Sequence, residues 1–243
     1  MATWDSDRPH VTRTGGVGLG QPACHSDRGL LGENGCVIDH LVLATPDVTS
    51  TAAQVGEEWG VATVPGGSHT GRGTRNELTG LGAGVYLEIV GPDAKQPDPP
   101  SPRPFGVDDL AAPALVAWCA RPARPLADVI GRVRAHGIDL GSIAEMARMR
   151  PDGVQLRWLL TLPLTDEPHH GTLPFLIDWL ESPHPTESIP RQAHLTKLHI
   201  VHPEAALIRT VLEEIGRSRS VEVDQGAAGL WAEIHTPRGT VRL

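Results

Sequence analysis

The sequence predicts an α+β fold made of repeated β-α-β-β-β units, and three observations carry that prediction. An apolar run precedes a proline and then a helical periodicity three times over, at Val37–Ala44, 114–120 and 195–201. A glycine closes each helical pattern at a similar distance from its proline: 46 to 60, 122 to 137 and 203 to 216. Further short strand-like runs follow each helix. Self-similarity at one period weighs more than any single motif.

In the first unit, Val48, Ala52, Val55 and Trp59 recur at helical spacing and Gly60 is placed for a left-handed cap. Strands are expected at 62–64, 74–78 and 85–90. In the second, Leu126, Val129, Ile130 and Val133 form the apolar stripe, with strands at 142–149, 154–162 and 175–180. In the third, Ile208, Val211, Leu212 and Ile215 form it, with strands at 220–223, 230–235 and 240–243. Residues 1–36 are polar, glycine-rich and aperiodic, so little fixed structure is expected there. A translation start assigned too far upstream would also produce such a segment. Residues 92–104, PDAKQPDPPSPRP, are too rich in proline for a helix or a central strand and read as a linker or exposed loop.

Composition narrows the function classes. The chain has 243 residues, with 21 basic against 29 acidic side chains and a net charge of −8. Without a basic run it is a poor partner for nucleic acid or an anionic membrane. No apolar run approaches the roughly 20 residues of a membrane span, and no signal-peptide core is present at the start. Cys24, Cys36 and Cys119 lack CxxC spacing, which points to a reducing, cytoplasmic setting rather than a zinc ribbon or redox pair.

The segments VIDHLVLATPD, PGGSHTGRGTRN and VYLEIVGPD, with the later PFLIDWLESPHP, together resemble the glyoxalase-like branch of the vicinal oxygen chelate superfamily. The resemblance covers roughly residues 37–185, which read as one domain of two units, and 186–243 look like an additional unit. It implies paired units forming a curved, mostly antiparallel sheet cup with helices on the outer face. It also implies chemistry on small oxygenated molecules, of lyase, isomerase or dioxygenase type, or plain sequestration of a drug-like molecule. Fold alone does not choose among these.

Strand alternation puts Ile38, His40 and Val42 on one face of the first strand. It puts Tyr86, Glu88 and Val90 on one face of the last strand of the unit. His40 and Glu88 then face the cup. Both side chains suit a divalent Mn, Fe, Ni or Zn ion, and the resemblance makes these two strands the source of metal ligands. In the second unit Val116 aligns with His40, and Asp178 is the carboxylate nearest the position of Glu88. The expected set is therefore His40, Glu88 and Asp178 with one ligand missing. A catalytic metal with open positions and metal-free acid–base catalysis by His40 and Glu88 are equally admissible. A lone strand histidine can also serve simply as partner to a neighbouring acid group.

The glycine-rich stretch supplies His69, Thr74 and Asn76 as candidate pocket residues, with Gly66 and Gly67 allowing close backbone approach. Trp118 is expected as an aromatic wall of the pocket, although strand tryptophans more often belong to the core. Lys197, His199, His202 and Glu233 of the third unit read as a surface or interface set. The expected partners are a small-molecule substrate and, through the odd unit, a second copy in a homodimer.

Overall fold

The computed structural model describes residues 37–82, 84–150, 153–161, 171–216 and 218–243. The expectations for residues 1–36, Cys24 and Cys36 lie outside these. The first unit runs β1 (Val37–Ala44), α1 (Val48–Trp59), β2 (Val64–His69), β3 (Thr74–Gly80) and β4 (Tyr86–Pro92). The second runs β5 (Ala114–Arg121), α2 (Leu126–Ala135), β6 (Ile143–Met149), β7 (Gln155–Thr161) and β8 (Phe175–Asp178). The third runs β9 (His194–His202), α3 (Ala205–Ile215), β10 (Val221–Gln225), β11 (Gly229–Thr236) and β12 (Gly239–Arg242).

Local chemistry sets the helix ends. Asp47 caps α1 by accepting from the Ser50 N–H at 3.1 Å, an interaction worth about 1 kcal/mol. Gly60 ends α1 at φ 70°, where a side chain would be strained.

The first two units form one eight-stranded sheet in the order β2-β3-β4-β1-β5-β8-β7-β6. The central seam is the antiparallel pair β1–β5, and within each unit the first and last strands run parallel. The sheet curls until its edges β2 and β6 approach one another. Its outer face carries Leu41, Leu43, Leu87, Ile89, Trp118, Ala120 and Leu176 against the helices. Its inner face carries Val42, Ala44, Tyr86, Val90, Ala117, Cys119, Phe175 and Ile177.

The third unit repeats the element order but not the strand pairing. Its sheet is ordered β10-β9-β11-β12, with β10 parallel and adjacent to β9. In the first two units the strand after the helix goes to the far edge instead. Leu198, Ile200, Ile208, Val211 and Ile234 of the third unit join the same apolar cluster as Leu41, Trp118 and Val129. Burying each such side chain contributes about 1.5–3 kcal/mol before entropy is counted.

The proline-rich segment is more ordered than a free linker. Asp93 is buried and accepts from the Ser68 hydroxyl at 2.6 Å and the Gln96 amide at 3.0 Å. Arg103 ties the segment together by bonding Asp98, Asp108 and the Gly73 carbonyl. Val107 then enters the inner cluster of the cup, and Phe105 packs 5.8 Å from Phe175.

Candidate functional site

A β-bulge builds the centre of the site. The β1–β5 register shifts between Ile38 and His40, so Asp39 is the extra residue and strict alternation fails there. Ile38 turns to the helix face instead of the cup. The carboxylate of Asp39 comes to the side of its neighbour's ring, with Oδ1 2.8 Å from His40 Nδ1. Its Oδ2 accepts from Trp179 Nε1 at 3.0 Å and lies 3.1 Å from His184 Nε2. Arg121 adds its charge at 3.7 Å.

Burial alone would raise the Asp39 pKa. Hydrogen bonds from His184 and His40, with their charges, outweigh it and hold the carboxyl well below the usual carboxylate range. An ionised carboxylate only accepts, so His40 Nδ1 and His184 Nε2 carry the protons. His40 Nε2 is then left as the ring's reactive atom, and it points at Glu88 Oε2, 3.5 Å away. Tyr86 stacks on the His40 ring at 4.7 Å and Phe175 meets its edge at 5.3 Å.

The glycine-rich hairpin β2–β3 orients Glu88. Asn76 donates to Glu88 Oε1 at 2.6 Å, and the same amide nitrogen lies 3.2 Å from His69 Nε2. Because that amide donates, His69 Nε2 accepts and Nδ1 donates to the Thr74 hydroxyl at 2.9 Å. The Asn76 carbonyl accepts from Arg148 Nη1 of β6 at 3.3 Å. Glycine at position 66 leaves room for this network: a Cβ there would press on Asn76 Oδ1 and Arg148 Nη1 and force those side chains to shift. His40, Glu88, His69, Thr74 and Asn76 are thus brought together, as their residue types and strand positions suggest.

Two expected members lie elsewhere. Trp118 is not a pocket wall. It is fully buried in the helix-side core, where Nε1 donates to the Thr172 carbonyl at 3.1 Å. The β1–β5 register shifts again between Val42 and Leu43, opposite Ala117 and Leu115. Val116 is the bulged residue, so Trp118 loses its shared parity with Val116. Asp178 is not a ligand facing the cup. Phe175 and Ile177 take the inner face of β8, and Asp178 Oδ1 accepts from the Leu180 N–H at 2.9 Å.

In the third unit, Lys197, His199 and Glu233 share the face of the four-stranded sheet away from α3. There His199 stacks on Trp231 at 3.6 Å and Arg242 covers the indole at 4.0 Å. His202 is buried and accepts from the Glu204 N–H at 3.0 Å, at the start of α3. The residues His169-His170 lie outside those described. A cleft of about 680 Å³ opens between the start of α1 and the proline-rich segment, beside Asp47, Arg75, Asp93 and Arg103. It contains none of the cup's ionisable groups, so the clustered side chains, not this cleft, locate the chemistry.

The donor set does not fit the expected metal scheme. Unit one offers His40, Glu88 and His69, whose Nε2 lies 3.6 Å from Glu88 Oε1 and accepts from Asn76, but unit two presents Ala117, Phe175 and Ile177 on the facing surface. Asp39, His40 and Cys119 place donor atoms within 4.8 Å of one another. Both Asp39 oxygens, however, are already taken by His40, His184 and Trp179.

His69 makes a testable contribution to stability. Burial pushes its pKa down, and the Glu88 charge opposes this without reversing it. A neutral buried imidazole gains its proton only on unfolding. Its contribution is therefore fully present above the ordinary value of 6.5 and lost as pH falls below it. The urea midpoint should fall between pH 7.5 and 5.5, and His69→Gln should make that fall shallower. An unchanged slope in the variant would contradict the assignment.

A family match and one solved structure agree with this architecture. The Glyoxalase-like domain family matches residues 38–216. No curated protein sequence matches the chain. A hypothetical protein from Staphylococcus aureus shares the fold with a TM-score of 0.59 at 13% identity, over 85% of this chain and 98% of that one. Methylmalonyl-CoA epimerase from Mycobacterium tuberculosis aligns with a TM-score of 0.40 at 14% identity, over 67% of this chain and 100% of the other. No helix among the described residues is long and apolar enough to cross a membrane. With its paired units, curved sheet and family match over most of its length, the chain belongs to the glyoxalase-like family of the vicinal oxygen chelate superfamily.

Proposed function

We propose that the protein is a proton-transfer enzyme, of isomerase or lyase type, acting on a small oxygenated molecule held in the cup. One observation carries this reading: His40 Nε2 and Glu88 Oε2 oppose each other at 3.5 Å in a buried site, each held from behind by a dedicated partner. At that separation one proton carried by either member eases the repulsion between their lone pairs. The pair then offers one base and one acid. The base removes a proton from a carbon next to a carbonyl, the electron pair moves onto the carbonyl oxygen, and the acid returns a proton. Asp39 stabilises the imidazolium that forms when His40 is the base.

The inner wall of Tyr86, Phe175 and Trp179 favours a second reading, in which an aromatic or apolar molecule is bound without chemistry. Deuterium exchange separates the two. Incubated in D2O with small 2-oxo acids and other carbonyl compounds, the protein should exchange an α-hydrogen of one class, as read by proton NMR. Treatment with a chelator should leave the rate unchanged. Binding without exchange across the series would favour the second reading, and loss of exchange on chelation would overturn the metal-free mechanism.

A further inference from the structure

We propose that Arg148 anchors an anionic substrate, one whose carboxylate or phosphoryl oxygens sit on the guanidinium while its reactive carbon faces His40 and Glu88. The placing of the reactive carbon rests on the acid–base reading above; the anion site does not.

Arg148 is only 7% exposed. It shares the inward parity of Met146 on β6, and Met146 packs on the inner cluster of the cup. Its single hydrogen bond among the described residues is the one from Nη1 to Asn76 Oδ1, at 3.3 Å. Nε and Nη2 have no protein partner there, and no carboxylate forms an ion pair with it. A guanidinium presents five N–H groups in a planar fork. Its burial disfavours the charged guanidinium, and the fork atoms left without a protein partner keep some contact with solvent, where a ligand can reach them. The Glu88 charge opposes that effect of burial without cancelling it. Asp39 is already surrounded by His40, His184, Trp179 and Arg121. Glu88 is held through Asn76, which stands between it and the arginine.

The unused fork matches a planar carboxylate or a phosphoryl group in two-point contact. The chain through Asn76 places such a group within one side chain of the reactive pair. The aromatic wall of Tyr86 and Phe175 can then cover the apolar body of the same molecule. Gly66 keeps this arrangement open, because a Cβ would strike both Asn76 Oδ1 and Arg148 Nη1.

A purely structural role is the competing account, since Arg148 also links β6 to the β2–β3 edge. The two accounts differ in what anions do. Malonate, inorganic phosphate and the neutral dimethyl malonate should be titrated into the full chain, followed by tryptophan fluorescence and melting temperature. Malonate or phosphate is expected to bind and raise the melting temperature. Arg148→Met should weaken that binding by about tenfold or more and leave the neutral ester unaffected, and Arg148→Lys should recover part of it. Gly66→Ala, which keeps the charge but displaces the guanidinium, should weaken anion binding too. This covers the case in which Arg148→Met fails to fold. His40→Ala should bind the anion like the wild type even where it abolishes exchange, so the anion site and the proton-transfer reading can fail separately. Absence of anion binding in the wild type would overturn the proposal. So would equal affinities in the wild type, Gly66→Ala and whichever Arg148 variants fold.

Discussion

Replacing His40 by alanine is expected to slow α-hydrogen exchange by about 10²–10⁴-fold, the range general acid–base groups supply, while the protein stays folded. The expectation follows from how the ring is held. Asp39 fixes the Nδ1 proton, so Nε2 is the atom that meets substrate, and Glu88 Oε2 is its counterpart at 3.5 Å. Glu88→Gln should cost a similar factor, because an amide cannot share the proton. The double variant should be little worse than the poorer single one, since the two groups act as a unit. Additive losses would mean independent roles and would contradict the shared proton.

Asp39→Asn sharpens the same argument. The amide leaves the ring position in place but removes the negative charge that stabilises an imidazolium, and it can donate to Nδ1 and so impose the wrong tautomer. Exchange should fall by at least about 10²-fold. Stability should change as well. A carboxyl held below its ordinary range contributes stability that is fully present above about pH 4 and lost as pH falls further. The variant should lack that acid-sensitive component and lose up to about 3 kcal/mol at neutral pH, as when one member of a buried charged set is removed.

The parts of this site legible in the sequence are those that follow simple alternation. β4 is regular, so Tyr86, Glu88 and Val90 do share the inner face. The hairpin holding His69, Thr74 and Asn76 was marked by glycines that the close approach at Gly66 explains. Asp39 was hidden because adjacent strand residues normally face apart, and only a bulge turns both into the cup. His184 follows the last strand of the second unit in a PHP segment, and nothing in its local pattern connects it with a residue 145 positions earlier. Arg148 did leave a signal: a charged residue in an expected strand, in phase with an apolar inner face. The third unit shows the same limit on a larger scale. Its apolar periodicity and glycine stop give the element order, but hydrogen-bond pairing is a long-range choice. β10 settles directly beside β9 rather than at the far edge.

Trp118 gives the most direct check on the strand register. As a pocket wall, its loss would reduce ligand affinity and barely affect folding. In the helix-side core, with its indole nitrogen bonded to the Thr172 carbonyl, its loss leaves a large void among residues that pack the helices onto the sheet. Trp118→Ala is therefore expected to cost about 3–5 kcal/mol, a large fraction of the roughly 5–15 kcal/mol that holds a domain folded. Trp118→Phe retains most of the volume but loses the hydrogen bond, and should cost nearer 1–2 kcal/mol. Both are read from urea unfolding. The Phe variant, which stays folded, should bind malonate as the wild type does. A stable Trp118→Ala protein with impaired binding would mean that β5 is turned over relative to β1. His40 and Cys119, which pair across those strands, would then no longer share the cup, and the acid–base assignment would fall with them.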